Sequence, residues 1–588
     1  MPGLKRLTED HGVCISSCLD YWDDDLILQA FNRSLILAPE IYANPWFLKD
    51  DEFPKLARIY NLHRRWRDIL VEGIVLPEEQ YGPKAVSRGD DTRRLITLRN
   101  LTWEPVTYKV SLDESIGLKD KGKASLYQLH PTEKLLGKGK GGIDVEVLPF
   151  RSCLLLATTE PNPEIVVKGC DYQVVRDTEG KDVIIDLMGY PLKDAFISLG
   201  NSRKDFRKAF IEGKSVDKLL KGGTVHVAFE GDPIMSSWHR KLGDLKECDV
   251  PKDAEVLYEA SCFAADSDPL EFRSLRRSGP TDILEVKKAR DAFVNQWMMK
   301  ERGIDPAYLF DGDPETYYTF KKSRRSKLER NIRIDFGQPI SIDTLKIIKP
   351  GDDAGKNDPR KRRFPKPEKP KTYIAEVSAD LEIWKPAKVA VSDSGFKIDI
   401  LEKRQVRYIR TNAVPFRASD IKGYLNGTVL STDGWRHSYL FDRMANRPAV
   451  KAFSLKFKLP DYVKGSYICV PLEGKHGVEG AYAAIRKSEE LESYIVPSDS
   501  GGILKRKYNL YIGAPRRATS YPSNVWEAGV RRRDSNYTYF IPVTKDMVGK
   551  ELEVVVLAMD KDNVDFEPSA WITAYPIPME KKQLVLTR

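Results

Sequence analysis

Beyond Gly73 the apolar residues come in short runs, each cut off by Gly, Pro, Asp or Asn, and this punctuation limits the chain to a β architecture. Leu95-Ile96-Thr97-Leu98-Arg99, Thr107-Tyr108-Lys109-Val110 and Cys153-Leu154-Leu155-Leu156-Ala157 are too short for helices and read as strands. Val225, Val227 and Phe229 alternate with His226, Ala228 and Glu230, the period-two pattern of a strand with one face on a core. Ile332, Ile334 and Phe336 alternate in the same way with Asn331, Arg333 and Asp335, and predict a half-buried strand. Leu552 to Leu557 and Trp571 to Tyr575 add strands near the end. Lys204 to Leu220 is read as a helical insertion. Gly137 to Gly142 is read as a flexible hairpin tip, and Gly351 to Lys371, rich in Lys, Arg, Pro, Asp and Gly, as a long exposed loop. The fold class expected is mainly β: several β-sandwich modules in series, with limits at 76–158, 159–250, 251–428 and 429–588.

Only residues 1–75 read as clearly helical. His11 to Ser17 is a candidate buried strand. The acidic run Asp23-Asp24-Asp25 suits a helix start, because unpaired N–H groups there favour negative charge. Ile27, Ala30, Phe31, Ser34, Leu35 and Ala38 share one face of the helix that follows, which Pro39 ends. A second helix begins near Asp51, with Pro54 in its first turn. Its buried stripe is Leu56, Ile59, His63, Trp66 and Leu70. Strand, loop, helix, helix makes a short α/β piece.

At 588 residues, with 41% hydrophobic and 31% charged residues, the chain can bury several cores. Its net charge of +9 sits in scattered loops such as Lys321 to Arg325, Arg360 to Arg363 and Arg531 to Arg533. With no nucleic-acid motif beside them they read as solvated loops, and no nucleic-acid partner is expected. No apolar run approaches the roughly 20 residues of a membrane span, and Met1 to Arg6 shows no secretory signal. The seven cysteines form no CxxC pair and no metal spacing, and are read as buried thiols. The sequence contains no HExxH, GxSxG, Walker A or strand-borne GxGxxG motif.

Three later segments carry a resemblance. Asp305-Pro306-Ala307-Tyr308-Leu309-Phe310-Asp311-Gly312-Asp313-Pro314-Glu315-Thr316-Tyr317-Tyr318 precedes Asn331-Ile332-Arg333-Ile334-Asp335-Phe336-Gly337-Gln338-Pro339, and Gln405-Val406-Arg407-Tyr408-Ile409-Arg410 follows. Together they resemble the F5/8 type C (discoidin-like, galactose-binding-like) domain, a jelly-roll sandwich that includes bacterial carbohydrate-binding modules. The resemblance implies a glycan or polysaccharide partner and a structural Ca²⁺ at Asp311, Asp313 and Thr316. These are hard oxygen ligands suited to that ion; the other reading of the segment is a turn closed by Asx-type hydrogen bonds. The acid such domains supply near their end is missing from Ile421 to Tyr424. A sugar site needs an aromatic face and polar groups beside it. Tyr317, Tyr318, Trp384, Phe416 and Arg417 are the candidates, and core packing is the alternative for each. Trp435, Trp526, Tyr537, Tyr539 and Trp571 offer a second possible platform.

The N-terminal Tyr21 to Asp25 and Leu37 to Leu48 resemble the end of a (β/α)8 barrel of the α-galactosidase-like glycoside hydrolases, in which a β-sandwich follows the barrel. The resemblance places Asp20 and Trp22 on the barrel's active-site face. Retaining glycosidases use two carboxyl groups about 5–5.5 Å apart, and in those relatives they come from earlier strands. This chain alone is therefore not expected to hydrolyse a glycoside. The function expected is a carbohydrate-binding, accessory region of a glycoside-hydrolase-like protein that is secreted, periplasmic or at the cell surface. The alternatives are an active hydrolase with its main barrel upstream, and a protein-interaction module.

Overall fold

A computed structural model describes most of the chain from residue 22 onward, leaving out parts of 33–51, residues 260–280, 295–302, 321–330, 355–371, 441–448, 488–502 and 517–536, and shorter stretches. It is mainly β, with five sheets of five or more strands. The strand expected at 11–17, most of the 351–371 loop and Asp20 lie outside the described residues.

Two helices, Trp22–Phe31 and Glu52–Trp66, open the structure. The stripe on the second is buried as expected at Ile59, His63, Trp66 and Leu70. Both pack on a six-stranded sheet ordered Gly73–Val75, Val86–Gly89, Arg93–Arg99, Ser152–Thr158, Ala124–His130, Lys134–Gly139. A two-stranded sheet, Val106–Ser111 with Gly142–Val147, covers its other face. The run Cys153 to Ala157 is apolar without alternation because both of its faces are buried: Leu154 and Leu156 meet the helices, while Cys153, Leu155 and Ala157 meet the small sheet. Segment 137–142 is a crossing between these two sheets rather than a hairpin tip, since the strands on either side of it pair with different partners.

A second unit packs a three-stranded sheet (Val225–Ala228, Asp194–Leu199, Val167–Lys168) on a five-stranded one. In the latter, Glu580–Thr587 lies between Val183–Gly189 and Lys208–Ile211. The helical insertion expected over 204–220 is instead a hairpin, Lys208–Ile211 with Lys214–Ser215, flanked by single 3₁₀ turns. Its two-residue turn has positive φ at Glu212 (47°) and Gly213 (77°), the geometry that joins tight hairpins.

The third unit is a nine-stranded sheet curled around one core. Asn331–Ser341 lies near its end, between Gln405–Thr411 and Arg436–Leu440. Ile332, Ile334 and Phe336 face the core as expected, but the opposite face is covered as well. Arg333 is fully buried, with Nε 2.8 Å from the Glu259 carboxylate, and Arg410 donates to the same carboxylate at 2.7 Å. The helix Leu284–Val294, absent from the sequence reading, belongs to the stretch before this sheet.

The fourth unit pairs a five-stranded sheet with a six-stranded one. His239–Asp244 and Lys246–Cys248 join these sheets, so strands from before 250 complete a unit built mostly after 450. Arg436–Leu440, past 428, belongs in turn to the third unit. Cys153 and Cys469 are buried as expected, whereas Cys248, on an edge strand, is exposed.

Candidate functional site

The loop that carries the strongest sequence signal closes on itself. Gly312 takes φ +73°, which lets the chain reverse between the two aspartates. The Asp313 N–H donates to the Asp311 carboxylate at 3.0 Å, and the Thr316 hydroxyl donates to both Asp311 oxygens at 3.0 and 2.9 Å. The Glu315 N–H donates to Asp313 at 2.9 Å. Partial burial pushes the Asp311 carboxyl above its ordinary pKa; the Asp313 and Asp420 charges add to this, against the hydrogen bonds, which lower it. Asp420, one residue before 421–424, is buried and pairs with Lys422 at 3.0 Å.

Beside this turn the short strands Tyr318–Thr319 and Arg417–Ala418 pair. That pairing brings four of the five aromatic and basic candidates together. The Arg417 guanidinium lies over the Tyr317 ring at 5.5 Å and the Phe416 ring at 5.0 Å. Tyr317 is buried, while Tyr318, Phe416 and Arg417 are half-buried. Tyr318 leans edge-on against Phe320 and His437. Trp384 stands in a different cluster: its ring stacks on Arg410 at 4.2 Å and its indole N–H donates to the Leu381 carbonyl at 3.1 Å. Of the second set of aromatic candidates, Trp435 belongs to the core of the third unit rather than to the last, buried against Phe336 at 4.3 Å. Trp571 is buried between Trp103 and His239, at 5.6 and 5.2 Å, so both are packing residues. Trp526 and the side chains of Tyr537 and Tyr539 lie outside the described residues.

At the N-terminus, Trp22 begins a helix, but its side chain is outside the described residues. The acids after it start the helix as expected, and two of them point inward. Asp24 is fully buried. It accepts from His130 Nε2 at 2.5 Å, from Arg151 at 2.8 Å and from the Ser152 N–H at 2.7 Å. Asp23, also buried, lies 3.4 Å from Arg151 and 3.9 Å from Lys55. Burial alone would raise the Asp23 pKa, but the charges of Lys55, Arg151 and His130 outweigh it and hold the group well below the carboxylate range. Burial pushes His130 down. Asp23, Asp24 and His130 bring three possible ligand atoms within 4.8 Å of one another. The Arg151 guanidinium already supplies the positive charge a metal would bring, so the cluster is an ion-pair staple fixing the first helix to the strands Ala124–His130 and Ser152–Thr158. Nothing in the sequence pointed to His130 or Arg151, which lie more than a hundred residues from Asp24.

No family model matches the chain, and no curated protein matches it in sequence. Among solved structures, a Bacillus halodurans protein assigned as an α-N-acetylgalactosaminidase is similar over 24% of this chain, at 15% identity and a TM-score of 0.20. An α-galactosidase from Saccharomyces cerevisiae, solved with raffinose, is similar over 25%, at 10% identity and a TM-score of 0.17. An arabinofuranosyltransferase from Mycobacteria is similar over 84%, at 8% identity and a TM-score of 0.17. The matches span 31%, 46% and 33% of those proteins' own lengths. Scores at this level show no common overall fold. Among the described residues no helix is long and apolar enough to cross a membrane.

Proposed function

We propose that this chain is an accessory region of a glycoside-hydrolase-like protein, working outside the cytoplasm, and that it binds or positions glycan through its discoidin-like unit. The observation that supports this is the convergence of Tyr317, Tyr318, Phe416 and Arg417 on one strand pair beside the Asp311 turn. Half-buried rings next to a guanidinium suit a sugar, whose C–H face packs on an aromatic while its hydroxyls accept from a cation. Ca²⁺ belongs to the same reading. Asp311, Asp313 and Thr316 would hold it, and its charge would offset the repulsion among Asp311, Asp313 and Asp420. The hydrolytic alternative draws no support from Asp23 and Asp24, whose carboxylates are occupied by Arg151 and His130.

The test is affinity electrophoresis through gels containing galactomannan, xylan or mixed-linkage β-glucan. The wild-type chain is expected to be retarded in at least one gel, and Phe416→Ala and Arg417→Ala to weaken that binding about tenfold, the size of one lost contact of ~1.4 kcal/mol. Unchanged binding by both variants would sink the assignment to this unit.

A further inference from the structure

The second unit carries a side-chain arrangement that no part of the proposed function uses. In its three-stranded sheet, Ala195, Ile197 and Leu199 point into the core, as do Val225 and Val227 opposite. The outward face of such a strand is expected to be polar. Here it presents Phe196, 67% exposed, and just before the strand Leu192, 64% exposed. Leu192 is held at φ +57°, a conformation costly for a branched side chain, with its N–H fixed on the Phe229 carbonyl at 2.7 Å.

The neighbours of Phe196 are polar and ordered. His226 lies directly across the sheet from it, with ring centroids 5.2 Å apart. His226 Nε2 reaches diagonally to the Asp194 carboxylate at 3.0 Å. Asp194 is two residues before Phe196 and so on the same face. The residue across from Asp194 is Ala228, exposed and carrying only a methyl. Residues two apart on a strand are about 7 Å apart and adjacent strands about 4.8 Å. The outward row from the Phe196 ring through the His226 imidazole to the Asp194 carboxylate is therefore about as long as one pyranose is wide, with the imidazole filling its middle.

We infer that Phe196, Asp194 and His226, beside the small Ala228, form a glycan subsite separate from the discoidin-like unit, taking a single pyranose with its C–H face on Phe196 and vicinal hydroxyls on the Asp194–His226 pair. An aliphatic partner would take water from that carboxylate–imidazole pair and return no hydrogen bond, and an anionic one would meet the Asp194 charge. A neutral sugar satisfies both the ring and the pair. The inference shares with the proposed function only the premise that this chain engages glycan.

The experiment uses the full chain in the same galactomannan, xylan and β-glucan gels, comparing wild type with Phe196→Ala, Ala228→Tyr, which sets a ring across from the Asp194 carboxylate, and Arg417→Ala. All three residues changed are at least partly exposed, and melting curves confirm that each variant folds. Phe196→Ala and Ala228→Tyr are each expected to weaken retardation about tenfold or more in a gel that retards wild type. If Arg417→Ala binds as wild type does while the other two do not, the subsite stands and the discoidin-like assignment falls. If only Arg417→Ala loses binding, that assignment stands and the subsite is refuted. Loss in both sets supports both. A wild-type chain that runs freely in every gel overturns both.

Discussion

His437 is a buried base whose protonation the fold resists. It is 6% exposed, on the strand Arg436–Leu440, with the rings of Tyr318, Phe310 and Phe320 around it at 5.2, 6.2 and 6.4 Å. Its Nε2 is buried with no hydrogen-bond partner among the described residues. Burial among these rings pushes its pKa from 6.5 down to about 4. The folded value lies below the unfolded one. The stability this group contributes is therefore complete above pH 6.5 and is lost as pH falls through about 4, where the unfolded chain has long been protonated. The shift corresponds to roughly 3 kcal/mol at 1.36 kcal/mol per pKa unit, an order-of-magnitude figure. Hydrogen exchange of the Asn331–Ser341 strand, with which His437 pairs through Ile334, reports the local opening energy once intrinsic exchange rates are divided out. In wild type that energy is expected to fall by a few kcal/mol more between pH 7 and pH 4 than in His437→Phe, which keeps a ring and removes the proton. Parallel pH profiles for the two proteins would refute the reasoning, since carboxylates elsewhere act on both alike.

Leu584→Ala, in the strand that completes the second unit, removes a fully buried side chain and is expected to cost ~2–5 kcal/mol, read as lost amide protection in Val183–Gly189 and Lys208–Ile211. Arg151→Met strands the Asp23 and Asp24 carboxylates in the core and is expected to cost ~3–5 kcal/mol, measured by denaturant unfolding; a change within about 0.5 kcal/mol would mean that the staple carries no weight. Burial raises the Glu164 carboxyl to about 8, against the pull of Arg65 3.2 Å away. Its folded pKa lies above the unfolded one, so the stability it contributes is full below pH 4.5 and lost as pH rises through 8; Glu164→Gln should flatten the melting temperature over that range. If Asp311 holds Ca²⁺, adding millimolar CaCl₂ raises the melting temperature of wild type but not of Asp311→Asn.

The strands with strict alternation or dense apolar runs were legible, because periodicity reports local burial. Ile332 to Phe336, Val225 to Phe229 and Cys153 to Ala157 all lie where their patterns put them. The pairing of Tyr318–Thr319 with Arg417–Ala418 was not legible in any local pattern, since a hundred residues separate its halves. Three things were hidden. Arg333 looked like an outward residue because its partner, Glu259, comes from a distant segment. The hairpin turn at Glu212-Gly213 was masked by the helix-forming lysines around it. Asp194 and Phe196 carry no motif; their meaning appears only once the register places His226 and Ala228 opposite them.

The strand Glu580–Thr587 has a consequence for how the chain is made. It fills the gap between two strands synthesised long before it; Lys581 meets Asp186 across 395 residues. At about 5–20 residues per second, translation leaves that gap open for roughly 20–80 s. During that time the nascent second unit shows two unpaired strand edges, a surface that recruits stray strands. Completion of this unit thus waits for residues 580–587, although most of it emerges early. A ribosome stalled anywhere in the third or fourth unit would display an unfinished sheet, which makes chaperone dependence and expression temperature properties of residues 580–587 as much as of the unit they enter.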